Sequence, residues 1–323
     1  IKDRLVLAHW MVHQLGFADY EQGFNTLNEA LKKCDPGWDE QNVFHYRRAL
    51  EDLLKDNPGS GIDADALIAY DLNILCHWKK ITRKRAEQEH RDLYPQPFHY
   101  LILLFTEYYL DLWTAGMRDQ STVLLDELND YRVKFNQRFD DLSATDKRKA
   151  VIPKFQIDDL HKLAIWAATG SGKTLVMHCQ YLQLQHYISE RSLERRFNKI
   201  FLVTPNDGLS KQHLDDLDLS DIPARRFQKD GSQTMLHFEN QPFIEVIEIT
   251  KLKTQSGVTT IDIAELGTNN IVLIDEGHRG LAGDVEFNNR QALCEEGLSL
   301  EFSATFGQSL NSLPAAKAQE MGN

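Results

Sequence analysis

The sequence predicts two architectures in one chain: an α/β unit with a parallel sheet over 151–310, and an all-helical region in front of it. Three observations carry this expectation. Apolar runs at 163–167, 199–203, 270–274 and 298–302 have the length and composition of strands buried on both faces, as parallel sheets require. A glycine-rich stretch, Ala167-Ala168-Thr169-Gly170-Ser171-Gly172-Lys173-Thr174, leaves the first run and opens a helical pattern over 175–187. Residues 1–150, by contrast, hold few alternating β-branched segments and many amphipathic patterns of helical period.

Taken in order, the helical patterns fall at 4–15, 20–33, 43–55, 64–89, 98–114 and 122–139. Asp56-Asn57-Pro58-Gly59-Ser60-Gly61 and Tyr94-Pro95-Gln96-Pro97 break them, because Pro and Gly punctuate regular structure. This divides the chain into a helical N-terminal domain at 1–93, a helical segment at 94–150 that leads into or is inserted in the α/β unit, the α/β domain at 151–310, and a linker or frayed end at 311–323. Trp10, Trp78, Trp113 and Trp166 read as core anchors. The basic run Lys79-Lys80-Ile81-Thr82-Arg83-Lys84-Arg85 reads as a solvated helix face, since its cations spread around a helix and Glu87 and Glu89 follow; phosphate or a partner's acidic surface is the alternative.

Composition narrows the class. At 323 residues and 42% hydrophobic content the chain can bury sizeable cores in about two domains. A net charge of −12 argues against an obligate nucleic-acid coat protein, although local donors and backbone N–H groups can still contact phosphates. Cys34, Cys76, Cys179 and Cys294 are far apart with no Cys-x-x-Cys pair, which argues against a zinc site or a disulfide framework and suits a reducing cytosol. The apolar run 101–105 is too short to cross a bilayer and is soon followed by Glu107 and Asp111. No signal peptide is visible, so a soluble, cytoplasmic protein without membrane contact is expected.

The glycine-rich stretch carries chemistry. Backbone N–H groups of such a loop, together with a helix N-terminus, make a preformed anion site, which assigns Ala168, Thr169, Gly170, Ser171, Gly172, Lys173 and Thr174 to a nucleotide triphosphate. Lys173 would reach the β- and γ-phosphates, and the Thr174 hydroxyl would hold Mg²⁺. The run at 270–274 ends in Asp275-Glu276-Gly277-His278, and ligands of open α/β sheets sit at the carboxyl ends of strands. Asp275 would then join the Mg²⁺ shell, while Glu276 would orient and deprotonate an attacking water. The last run delivers Ser303-Ala304-Thr305.

Ala-x-Thr-Gly-Ser-Gly-Lys-Thr, Asp-Glu-Gly-His and Ser-Ala-Thr resemble motifs I, II and III of superfamily 2 helicases, the DEAD/DEAH-like group. The wording around them (Lys162-Leu163-Ala164-Ile165-Trp166, Asp-Glu-Gly-His-Arg, Phe-Ser-Ala-Thr-Phe-Gly) is most similar to bacterial Res-like helicases, the motor subunits of type III restriction enzymes and related DNA-defence proteins. The resemblance covers about 155–310 and implies a RecA-like domain using ATP and Mg²⁺. It implies that His278 couples the nucleotide to the nucleic-acid site and that Ser303 and Thr305 link hydrolysis to domain movement. Val203-Thr204-Pro205-Asn206 resembles motif Ia, which contacts the nucleic-acid backbone, and Ile249-Thr250-Lys251-Leu252 sits where a further such motif lies. Pro97-Phe98-His99-Tyr100 and Phe155-Gln156 are faintly similar to the segment that recognises adenine, with core packing as the alternative for each.

The expected function is an ATP-dependent nucleic-acid helicase or translocase acting on DNA in bacterial anti-phage defence or restriction. The alternatives are an ATP-gated sensor that controls a partner nuclease without unwinding, and an RNA helicase. Expected partners are DNA or RNA and a nuclease domain or other defence-system subunits. A second RecA-like domain with its arginine fingers is not found after Thr305, so this stretch alone is expected to turn ATP over poorly.

Overall fold

The structure is a computed structural model that describes residues 5–55, 59–168, 170–228, 242–253, 261–276, 289 and 291–304. Two compact units divide these residues: one holds the described residues through Phe155 together with Cys179–Tyr187, the other Gln156–His178 and the described residues from Ile188 to Ala304.

The first unit is helical. Its elements are α1 (Val6–Gln14), α2 (Tyr20–Lys32), α3 (His45–Lys55), α4 (Ala64–Glu89), α5 (Pro97–Asp119), α6 (Val123–Asn136) and α7 (Ala144–Ala150). Side chains start these helices where the first turn leaves backbone N–H groups without partners. Asp19 accepts from Gln22 N at the head of α2, and Asp63 from Ala66 N at the head of α4. Helix α5 combines Pro97 in its first turn with a capping box between Gln96 and His99, and ends in left-handed Gln120. Trp10, Phe44, Tyr46, Trp78, Tyr100, Tyr109 and Phe135 fill the core. Among the described elements of this unit, α7 alone falls outside the patterns read from sequence; it is seven polar or small residues long and has no apolar stripe.

Within this unit Cys179–Tyr187 is the middle of helix α8 (Lys173–Glu190). Residues 176–184 of that helix are buried on every face, so its polar side chains must find partners. Gln180 Nε2 donates to Thr106 Oγ1 at 2.6 Å, and Gln183 Nε2 donates to Glu107 Oε1 at 2.7 Å. Tyr187 Oη donates to Glu107 Oε2 at 2.5 Å, and Asn73 Nδ2 reaches both carboxylate oxygens at 2.8 and 3.0 Å. Glu107 is fully buried, and burial pushes its carboxyl up to about 7 despite these donors.

In the second unit six strands form a parallel sheet in the order β1-β8-β7-β2-β4-β3, with β1 (Lys162–Trp166), β2 (Ile200–Thr204), β3 (Ala224–Arg226), β4 (Ile244–Glu248), β7 (Ile271–Asp275) and β8 (Leu298–Ser303). β5 (Leu252–Lys253) and β6 (Ile261–Asp262) make a separate two-stranded piece. Helix α9 (Asp207–Leu219) follows β2. Strands β2, β4, β7 and β8 are buried along nearly their whole length; β2 and β7 accordingly read as continuous apolar runs, whereas β4 carries Glu245 and Glu248 and has no such signal in the sequence. Phe201, Val203, Val272, Ile274, Ile247 and Leu293 share one core cluster. Because every pairing is parallel, Trp166, Thr204, Asp275 and Ser303 all end their strands at the same edge of the sheet.

Candidate functional site

That shared edge assembles the site. The chain leaves β1 into the phosphate loop, where Ala167 N donates to Ser303 O at 3.1 Å, so the loop's start is tied to the end of β8. Gly170 and Gly172 adopt φ of +73° and +83°, the left-handed region that side chains disfavour, and this lets the backbone curl before α8 begins at Lys173. Lys173 and Thr174, both half-buried, occupy the first turn of α8, where unpaired N–H groups and the helix dipole favour an anion.

Opposite the loop stand the carboxylates at the end of β7. Lys173 Nζ lies 3.0 Å from Glu276 Oε1. Glu276 has a φ of +53°, a strained left-handed geometry for a residue with a side chain, and it turns the carboxylate out of the strand line toward Lys173. Asp275 Oδ1 accepts from Glu276 N at 3.0 Å, and its Oδ2 accepts from His213 Nε2 of α9 at 3.0 Å. Burial pushes the Asp275 carboxyl up, but the hydrogen bond and electrostatic attraction of His213, followed by the nearby Lys173 charge, outweigh it and hold it below the usual carboxylate value.

The donor set fits a hard divalent cation. Asp275 and the Thr174 hydroxyl offer oxygen only, and Mg²⁺ characteristically takes one or two protein oxygens and completes its shell with water and phosphate. Among the described residues no cluster of three or more His, Cys, Asp or Glu could hold a metal by itself.

Other residues singled out from the sequence have these places. Thr204 is buried and shares a 2.6 Å hydrogen bond with Ser210 Oγ, so its hydroxyl faces α9 and not the outside. The outward part of that segment is half-buried Pro205 and exposed Asn206, which caps α9 by accepting from Leu209 N at 3.0 Å. Thr250 is exposed in a short 3₁₀ turn after β4. Ser303 is fully buried beside the phosphate loop. Thr169, His278 and Thr305 lie outside the described residues. Of the two adenine candidates, His99 is buried and accepts from Gln96 N through Nδ1, whereas Gln156 is exposed and heads a 3₁₀ turn. Lys79 of the basic run sits 4.4 Å from the Trp38 ring and donates to Asn42; Lys80 and Arg83 are exposed, while Ile81 and Thr82 between them are buried.

One expectation is corrected. Trp10, Trp78 and Trp113 are buried, but Trp166 is 43% exposed. It ends an edge strand whose alternate residues face outward, and its Nε1 donates to Ala304 O at 2.9 Å, tying the phosphate-loop strand to the end of β8 a second time. His213 and the strain at Glu276 were not read from the sequence. Ser210, His213 and Leu217 share the buried face of α9 at helical spacing, so a helix assignment after β2 would have marked His213 as a buried polar residue needing a partner.

All four cysteines are free, and among the described residues no helix is long and apolar enough to cross a membrane. No curated protein matches the chain. Among solved structures, a Sulfolobus solfataricus SWI2/SNF2 ATPase core in complex with double-stranded DNA resembles it at 15% identity and a TM-score of 0.34, over 50% of this chain and 32% of that one. The family described as type III restriction enzyme, res subunit, matches residues 127–308, more than half of the chain, and takes in the whole parallel sheet and its phosphate loop. The chain belongs to the family of type III restriction enzyme res subunits and carries its RecA-like helicase-type ATPase domain.

Proposed function

We propose that this chain hydrolyses Mg²⁺·ATP to drive movement along nucleic acid, with DNA as the track. The observation that carries the reading is the meeting of Lys173 and Glu276 at 3.0 Å across the phosphate loop, with Asp275 beside them. Lys173 would exchange the Glu276 carboxylate for β- and γ-phosphate oxygens, and the freed Glu276 would accept a proton from the attacking water. Asp275 and Thr174 would hold the cation, which neutralises charge on the phosphoryl oxygens when bound. The ties between Ala167, Trp166 and the end of β8 support a role for Ser303 in passing nucleotide state to the rest of the motor. Family membership supports DNA as the substrate and restriction or phage defence as the setting, with a nuclease domain or subunit as partner.

Steady-state ATPase measured without nucleic acid, and with single-stranded DNA, duplex DNA or RNA, tests this, with Lys173→Ala as the blank. Stimulation by a DNA form and not by RNA is expected. Stimulation by RNA alone would make it an RNA motor, and Lys173-dependent turnover that no nucleic acid stimulates would make it an ATP-gated switch acting through a protein partner.

A further inference from the structure

His213 lies outside every motif that the proposed function uses, yet it touches the carboxylate that function assigns to the cation. It is nearly fully buried, at 3% exposure, and its Nε2 contacts Asp275 Oδ2 at 3.0 Å. Since a carboxylate accepts, Nε2 carries the hydrogen, and Nδ1 is buried with no hydrogen-bond partner among the described residues.

We propose that His213 is a positioning residue for Asp275: its Nε2–H holds the rotamer of the carboxylate at the end of β7. The chemistry explains why a histidine suits this place. An aliphatic residue would leave Oδ2 without a protein donor, free to rotate away from the loop. With His213 on Oδ2 and the Glu276 N–H on Oδ1, each oxygen is oriented by one donor and keeps a lone pair for the metal shell. Helix α9 makes the support rigid, because its start is capped by Asn206 and Ser210, one turn before His213, is bonded to Thr204 at the end of β2. The inference rests on the ATP reading of this site and names a residue of its outer shell.

The test is equilibrium binding of a fluorescent, non-hydrolysable ATP analogue to the whole protein, in EDTA and across a Mg²⁺ titration. His213→Leu removes the donor at similar volume, and His213→Gln restores an amide N–H at the reach of Nε2. Expected is a loss of roughly tenfold in Mg²⁺ affinity for the leucine variant, with EDTA affinity unchanged, and recovery to within about threefold for glutamine. Thermal melts of both variants guard against misfolding. A leucine variant with the wild-type Mg²⁺ dependence overturns the proposal. So does an equal loss in both variants that extends to EDTA, which marks a packing role. If the wild-type protein binds no analogue that Lys173→Ala abolishes, the ATP reading itself fails and this proposal falls with it.

Discussion

Glu107 in the helical unit and Asp275 in the sheet unit are both shielded carboxylates, and their surroundings push them in opposite directions. Glu107 meets Asn73, Gln183 and Tyr187, all neutral donors, and burial raises it to about 7. Burial alone would raise Asp275 too, but the hydrogen bond and electrostatic attraction of His213, and after them the Lys173 ammonium, keep it low. Neutral donors satisfy lone pairs without compensating the lost hydration of a charge; a nearby cation does both. The helical unit therefore holds a carboxyl as structure, close to its proton. The sheet unit holds Asp275 charged, which is what a cation site needs.

The largest expected effect separates these two uses. Glu276→Gln should lower ATP turnover by roughly a hundredfold or more while the nucleotide still binds, with little change in melting temperature, read by single-turnover hydrolysis beside equilibrium binding. Wild-type turnover by that variant would remove Glu276 from the chemistry. Glu107→Gln should act on stability instead, with a sign set by the raised pKa. A carboxyl that binds its proton more tightly when folded contributes fully below its ordinary value of 4.5, and that contribution is lost as pH climbs through about 7. Wild type should therefore lose roughly 3 kcal/mol relative to Glu107→Gln between those limits, measured as urea midpoints at a series of pH values. Parallel profiles for the two proteins would show that Glu107 keeps its ordinary pKa. The smallest effect concerns the frame of the sheet unit: Asn206→Ala removes the cap on α9 and should cost about 1 kcal/mol without changing that pH profile.

The sequence and the structure agree most closely where a pattern is long and periodic. The 26 residues of α4 coincide with the helical pattern at 64–89, and the strand at 298–302 is one residue short of β8. Agreement fails where a segment is short or polar. β3 is three residues at a sheet edge with no apolar alternation, and α7 has no apolar stripe. Glu107 shows the deeper difficulty. From sequence it is a charge interrupting an apolar run; in the fold it is fully buried, because Gln183 and Tyr187, far along the chain, bring it donors. Trp166 errs the other way, since hydrophobicity alone does not tell an edge strand from a central one.

By itself, then, the sequence determined the loop's glycines, the lysine and threonine that follow them, the acidic pair after an apolar strand, and the division into helical and α/β parts. These are local: each depends on a few adjacent residues and on the steric and hydrogen-bonding rules of a turn, a strand or a helix start. The sequence called for a parallel sheet, but the tertiary structure alone decided its strand order, which sets β8 between β1 and β7 and so brings Ser303 between the phosphate loop and the carboxylates after β7. It also decided that His213 meets Asp275 and that Glu107 is sheathed in neutral donors. Contacts between residues distant in sequence depend on strand order and helix packing, and neither is written in any short stretch of the chain.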